Sequence, residues 1–178
     1  YHIPQLLELF PKARFVYIHR HPYHVFRSTL HLRRRGIEEN SFGRREFDKE
    51  KHQQDIIESY RFAFEKYEQD CKLVPEGQLS EVAFGDLEQS PVEQLQRIYE
   101  QLKLPGFDAV HNAVTEQLAQ LKAYKKNQFT ADPDWERKVF EELRPVYDRF
   151  GYEQNSQPST TTTAPKLLDK TKSQRQTV

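Results

Sequence analysis

Apolar residues recur at Ile3, Leu6, Leu7 and Phe10, three and four positions apart, which predicts a short helix that Pro11 stops. The next apolar run lacks that period. Residues 14–19, RFVYIH, are rich in Phe, Val, Tyr and Ile with little alternation, and read as a strand covered on both faces, the kind a parallel sheet produces. From Pro22 the helical spacing returns at Val25, Phe26, Thr29, Leu30 and Leu32. Proline suits the first helical turn because its missing N–H would have no partner there. Residues 36–51 are polar except for Ile37, Phe42 and Phe47, and read as a surface loop or lid.

A second strand-turn-helix unit follows. Ile56, Ile57, Tyr60, Phe64, Tyr67 and Cys71 form one stripe of a helix over residues 55–71. After the turn VPEGQ, residues 80–84 predict a brief strand, GDLEQSP a turn, and residues 92–102 a helix with Leu95, Ile98 and Leu102 facing inward. Phe107, Val110, Val114, Leu118 and Leu121 mark another helix, followed by the basic loop YKKNQF at residues 124–129. In the last helix Trp135, Val139, Leu143, Tyr147 and Phe150 keep helical spacing, Pro145 bends the final turn, and Gly151 closes it. The expected class is α/β, with few short parallel strands, mostly helices, and an exposed sheet edge. One domain over residues 1–152 is expected. Residues 153–178 read as a disordered tail, because the stretch from Asn155 is aperiodic and poor in aromatics.

Charge narrows the choice of partner. The 27 Lys plus Arg balance the 27 Asp plus Glu, so the whole chain has no bias toward nucleic acid or an anionic membrane, and any basic site must be local. Cys71 is the one cysteine, which excludes an internal disulfide and a cysteine-cluster metal site, and it reads as a core thiol in a reducing compartment. No apolar run approaches the ~18 residues of a membrane span, and the expected protein is soluble and cytoplasmic. The chain holds no Met and starts at Tyr1 on a helix, so it is expected to be a fragment of a longer protein.

His19, Arg20 and His21 lie where the first strand gives way to a helix. Unpaired N–H groups at a helix start, the positive end of its dipole and an arginine at a strand's carboxyl end together favour a phosphate. Arg20 offers a two-pronged donor, and Ser28, eight residues on, a hydroxyl. The same residues also fit a strand ending in solvent and an ordinary helix serine. His19, His21, His24 and His31 have no carboxylate at ligand spacing, so no metal is expected. Arg33, Arg34 and Arg35 read as a solvated helix end.

The segment LLELFPKARFVYIHRHPYHVFRSTLHL resembles the stretch of sulfotransferases that binds the 3′-phosphate of 3′-phosphoadenosine 5′-phosphosulfate, most of all in the broad, largely bacterial branch. Arg20, Pro22 and Ser28 match the family's RxP and the serine eight residues after its arginine. EVAFGDLEQSPVEQLQRIYEQLKLPG is similar to the family's strand with YEDL, a turn and a helix, with Phe84 and Gly85 replacing Tyr and Glu and Asp86 kept. The resemblance implies the P-loop-NTPase-like sulfotransferase fold, seen in its C-terminal part over residues 1–152. It implies that Arg20 and Ser28 hold the 3′-phosphate, with Lys125, Lys126 and Asn127 of the late basic loop as further contacts. It also implies a nucleotide co-substrate, no metal, and an acceptor hydroxyl or amine. The family's 5′-phosphosulfate loop and KxP segment are expected upstream of Tyr1, so the chain alone is expected to be inactive. The rival reading is a non-enzymatic, α-rich module that binds another phosphorylated ligand or a partner's carboxylates.

Overall fold

Five residues of β1 (Phe15–His19) pair with five of β2 (Leu79–Ala83) as a parallel two-stranded sheet, in register from Phe15 against Leu79 to His19 against Ala83. A computed structural model describes residues 2–40, 46–121 and 131–154 around this pair. Parallel strands need a long crossover, and here α2 (Pro22–Asn40) and α3 (Lys49–Asp70) supply it, followed by a 3-10 turn at Cys71–Leu73. The short helix α1 (Ile3–Leu9) precedes β1. After β2 come α4 (Phe84–Gln89), α5 (Pro91–Gln101), α6 (Phe107–Leu121), α7 (Pro133–Glu142) and α8 (Arg144–Phe150). The helix-rich α/β architecture with short parallel strands agrees with expectation.

Two apolar clusters hold the elements. Tyr23 and Phe26 of α2, Ile56, Ile57 and Phe64 of α3, Val139 of α7, Leu143, and Val146 and Tyr147 of α8 form the larger one. Val82 of β2, Ile98 of α5 and Leu102 form the smaller. An aromatic layer covers one face of β1: Tyr17 stacks on Tyr67 at 3.7 Å between ring centroids and His19 on Phe150 at 4.0 Å. Glu81, on the same face of β2, accepts from Tyr67 Oη at 2.6 Å and from Arg149 at 2.8 Å, so the acidic strand position is paired on both sides.

Several expectations need correction. β1 is not covered on both faces: Val16 and Ile18 are 45% and 55% exposed, because α5 reaches only as far as β2. Gly36 lies inside α2, which runs to Asn40 because Arg34–Glu38 and Arg35–Glu39 pair along the helix and Asn40 donates to the Gly36 carbonyl. The expected loop over residues 36–51 therefore shrinks from both ends. Asp48 caps α3 by accepting from the Lys51 N–H, which starts that helix six residues earlier than the apolar stripe indicates. GDLEQ is helix α4 rather than a turn, and Pro91 opens α5 after the break at Ser90. The last helix is two, divided at Leu143 ahead of Pro145, and Gly151 closes α8 in the left-handed region at φ 67°. Cys71 is half-buried in the 3-10 turn, short of a core position, with burial pushing its thiol pKa up.

Ile18 and Val82 face each other across the sheet on the same side, yet one is exposed and the other only 1% accessible. Ile18→Thr is expected to change unfolding free energy by less than about 0.5 kcal/mol. Val82→Thr should cost about 1–3 kcal/mol, since it buries a hydroxyl without a partner. Urea unfolding of the two variants checks the contrast.

Candidate functional site

Because His19 pairs with Ala83, the next residue on each strand leaves the sheet on the same edge. Those residues are Arg20 and Phe84, and the Arg20 guanidinium stands 4.4 Å from the centroid of the Phe84 ring. A cation over an aromatic face is held in place without being neutralised. Among the described residues no ion pair or hydrogen bond is formed by the Arg20 side chain, so none of these residues takes up its five donors. Ser28 is exposed on α2, two turns from the junction. Lys125, Lys126 and Asn127 lie outside the described residues, as do residues 41–45 of the expected lid and the tail from Asn155.

The helix that carries Ser28 is anchored at its start. Pro22, Tyr23 and Phe26 are buried, and Tyr23 Oη both donates to the Asp132 carbonyl and accepts from the Asp132 N–H, each at 2.9 Å. His21 is 5% exposed; its Nε2 donates to the Glu153 carbonyl at 2.9 Å, which leaves Nδ1 as a buried acceptor without a partner. His19 Nδ1 bonds Tyr152 Oη at 2.7 Å. The chain after α8 is thus tied back to both sides of Arg20, and Asp86 of α4 acts electrostatically on this His19–Tyr152 pair.

Burial disfavours charge on all three histidines of the junction. His19 and His21 have pKa values below the ordinary 6.5, first because of burial. His24 is pushed down to about 4 by burial and then by His21, Arg20 and Arg27, against a single opposing carboxylate, Glu88. The field at His24 is therefore positive, and the junction contains imidazoles that burial keeps neutral. Among the described residues no group of three His, Cys, Asp or Glu is placed to hold a metal ion. Sequence reasoning weighed these histidines only as metal ligands. It missed their ties to residues 152 and 153, and nothing in the local spacing reveals contacts that span more than 130 positions.

The sulfotransferase family model matches residues 1–109, which include β1, Arg20, all of α2 and the strand-helix unit that follows. The chain belongs to the sulfotransferase family. It is also 29% identical over 161 residues to omega-hydroxy-beta-dihydromenaquinone-9 sulfotransferase Stf3 of Mycobacterium bovis and, equally, of Mycobacterium tuberculosis. The match covers 88% of this chain and 40% of each relative, so the chain spans about two fifths of the length of these curated proteins. No solved structure matches significantly. Among the described residues no helix is long and apolar enough to cross a membrane.

The histidines set a pH dependence. A base whose folded pKa lies below 6.5 binds fewer protons folded than unfolded, so its contribution is intact above about pH 6.5 and is lost as pH falls toward the folded value. Unfolding free energy is expected to decline between pH 6.5 and 4, and His24→Asn should flatten part of the slope. Urea titrations at pH 7 and pH 5 provide the check; equal stabilities would contradict the buried-imidazole account.

Proposed function

We propose that this chain supplies the 3′-phosphate half of the donor site in a sulfotransferase that moves a sulfuryl group from 3′-phosphoadenosine 5′-phosphosulfate to an acceptor hydroxyl or amine. The observation that carries the reading is Arg20, held over Phe84 where β1 and β2 end together, beside the start of α2. Family membership over residues 1–109 supports the chemistry. The exposed position of Ser28 and the positive field at His24 support an anion as ligand. Residues 1–152 act as part of one sulfotransferase domain in this reading, with 153–178 as its tail, and Lys125 and Lys126 as further phosphate contacts.

In the transfer, the bond between sulfur and the bridging phosphosulfate oxygen breaks while a bond from the acceptor to sulfur forms. The acceptor proton passes to a base, and adenosine 3′,5′-bisphosphate leaves. Negative charge grows on the leaving phosphate and spreads over the transferring group, so donors fixed in advance lower the barrier. The part assigned to this chain is binding and orientation. Arg20 and Ser28 grip the end of the nucleotide that does not react, and fixing that end places the phosphosulfate against its acceptor. The base and the groups around the sulfuryl lie in the remainder of the protein. The named relatives act on a hydroxylated menaquinone, and a hydroxyl at the end of an apolar chain is the acceptor class to try first.

Adenosine 3′,5′-bisphosphate should bind the protein more tightly than adenosine 5′-monophosphate. Removing Arg20 as Arg20→Ala is expected to weaken it by about 2–3 kcal/mol, and Ser28→Ala by about 1 kcal/mol, with little effect on the monophosphate. Calorimetric titration measures all three. Equal affinity for the two nucleotides, or indifference to Arg20, would rule the reading out.

A further inference from the structure

His24 has no part in the phosphate grip described above, yet its position gives it one. Four residues before Ser28 on α2, it occupies the same helix face one turn nearer the junction. Its ring lies 4.8 Å from that of His21, the buried side chain whose Nδ1 lone pair finds no donor. The charged groups that act on it are Arg20 and Arg27 from its own segment and Glu88 from α4, with the His21 imidazole as a further neighbour. Cations thus outnumber the carboxylate, and a phosphate between Arg20 and Ser28 reverses that balance.

We propose that His24 is a third, pH-responsive member of the phosphate site, which takes up a proton when the anion enters and so ties nucleotide affinity to pH. The inference rests on the reading of Arg20 and Ser28 as the 3′-phosphate contacts. Without ligand the imidazole is neutral, with a pKa near 4. An opposite charge within about 4–6 Å raises such a value by roughly one to three units. The proton arrives from solvent, no covalent bond changes, and the ring that gains it stands beside the unpartnered acceptor of His21. Acidification then strengthens binding through the protein while it weakens the ligand's own charge, since a phosphate monoester loses its second charge near pH 6.

The test follows the His24 ring resonances by NMR from pH 7.5 to 5, with and without saturating adenosine 3′,5′-bisphosphate. Without ligand about a tenth of the ring is protonated at pH 5; with ligand, for a rise of about 1.5 units, about three quarters is. Affinity gives a second readout. The ratio of wild-type to His24→Asn affinity should grow about fourfold from pH 7.5 to pH 5, and taking the ratio cancels the titration of the ligand. Should His24→Asn fail to fold, the wild-type resonances alone decide. A His24 titration that ignores a ligand bound through Arg20 overturns this inference and leaves the donor site intact. Binding that ignores Arg20→Ala removes the donor site, and this inference with it.

Discussion

The parallel pairing of β1 with β2 fixes where both strands stop, and the candidate site is a consequence of that register. His19 opposite Ala83 sends Arg20 and Phe84 off the same edge together, and the guanidinium comes to rest on the ring. A slip of β1 by one residue would turn Tyr17 and His19 away from the face that Glu81 occupies on β2 and dismantle their stacking on Tyr67 and Phe150. The packing that specifies the register therefore also places the cation. Fold and site depend on one alignment.

Around that edge the structure trades charge for rigidity. His19 and His21 stay neutral under burial while they fasten residues 152 and 153 to the junction, and Tyr23 fastens the start of α2 to Asp132. Uncharged ties leave the field of Arg20 and Arg27 unopposed by anything except Glu88 at His24. A phosphate gains from such a corner twice, through direct donors and through the field of the cations around His24, which outweighs the opposing Glu88 there. Ser28 lies on the same helix, whose start is fixed by the buried Pro22, Tyr23 and Phe26.

Much of this was legible in the chain. The strand-to-helix switch at Arg20 announced itself through a loss of period followed by its return, and the family's RxP and serine lay on it. The errors share a physical cause. Polar segments read as loops by pattern, but ion pairs four apart carry α2 through Gly36, and an aspartate cap starts α3 in residues without an apolar stripe. The exposure of Val16 and Ile18 was not legible at all, since an apolar run reports what a strand can bury and says nothing of which neighbour covers it. Contacts such as His21 to Glu153 depend on the closed fold and have no local signature.

The most direct measurement is a crystal structure of the protein with adenosine 3′,5′-bisphosphate bound. The account predicts the 3′-phosphate oxygens within hydrogen-bond distance, roughly 2.7–3.2 Å, of the Arg20 guanidinium and the Ser28 hydroxyl, with that guanidinium still against Phe84. A nucleotide whose 3′-phosphate lies away from the end of β1, with Arg20 facing solvent, would contradict it.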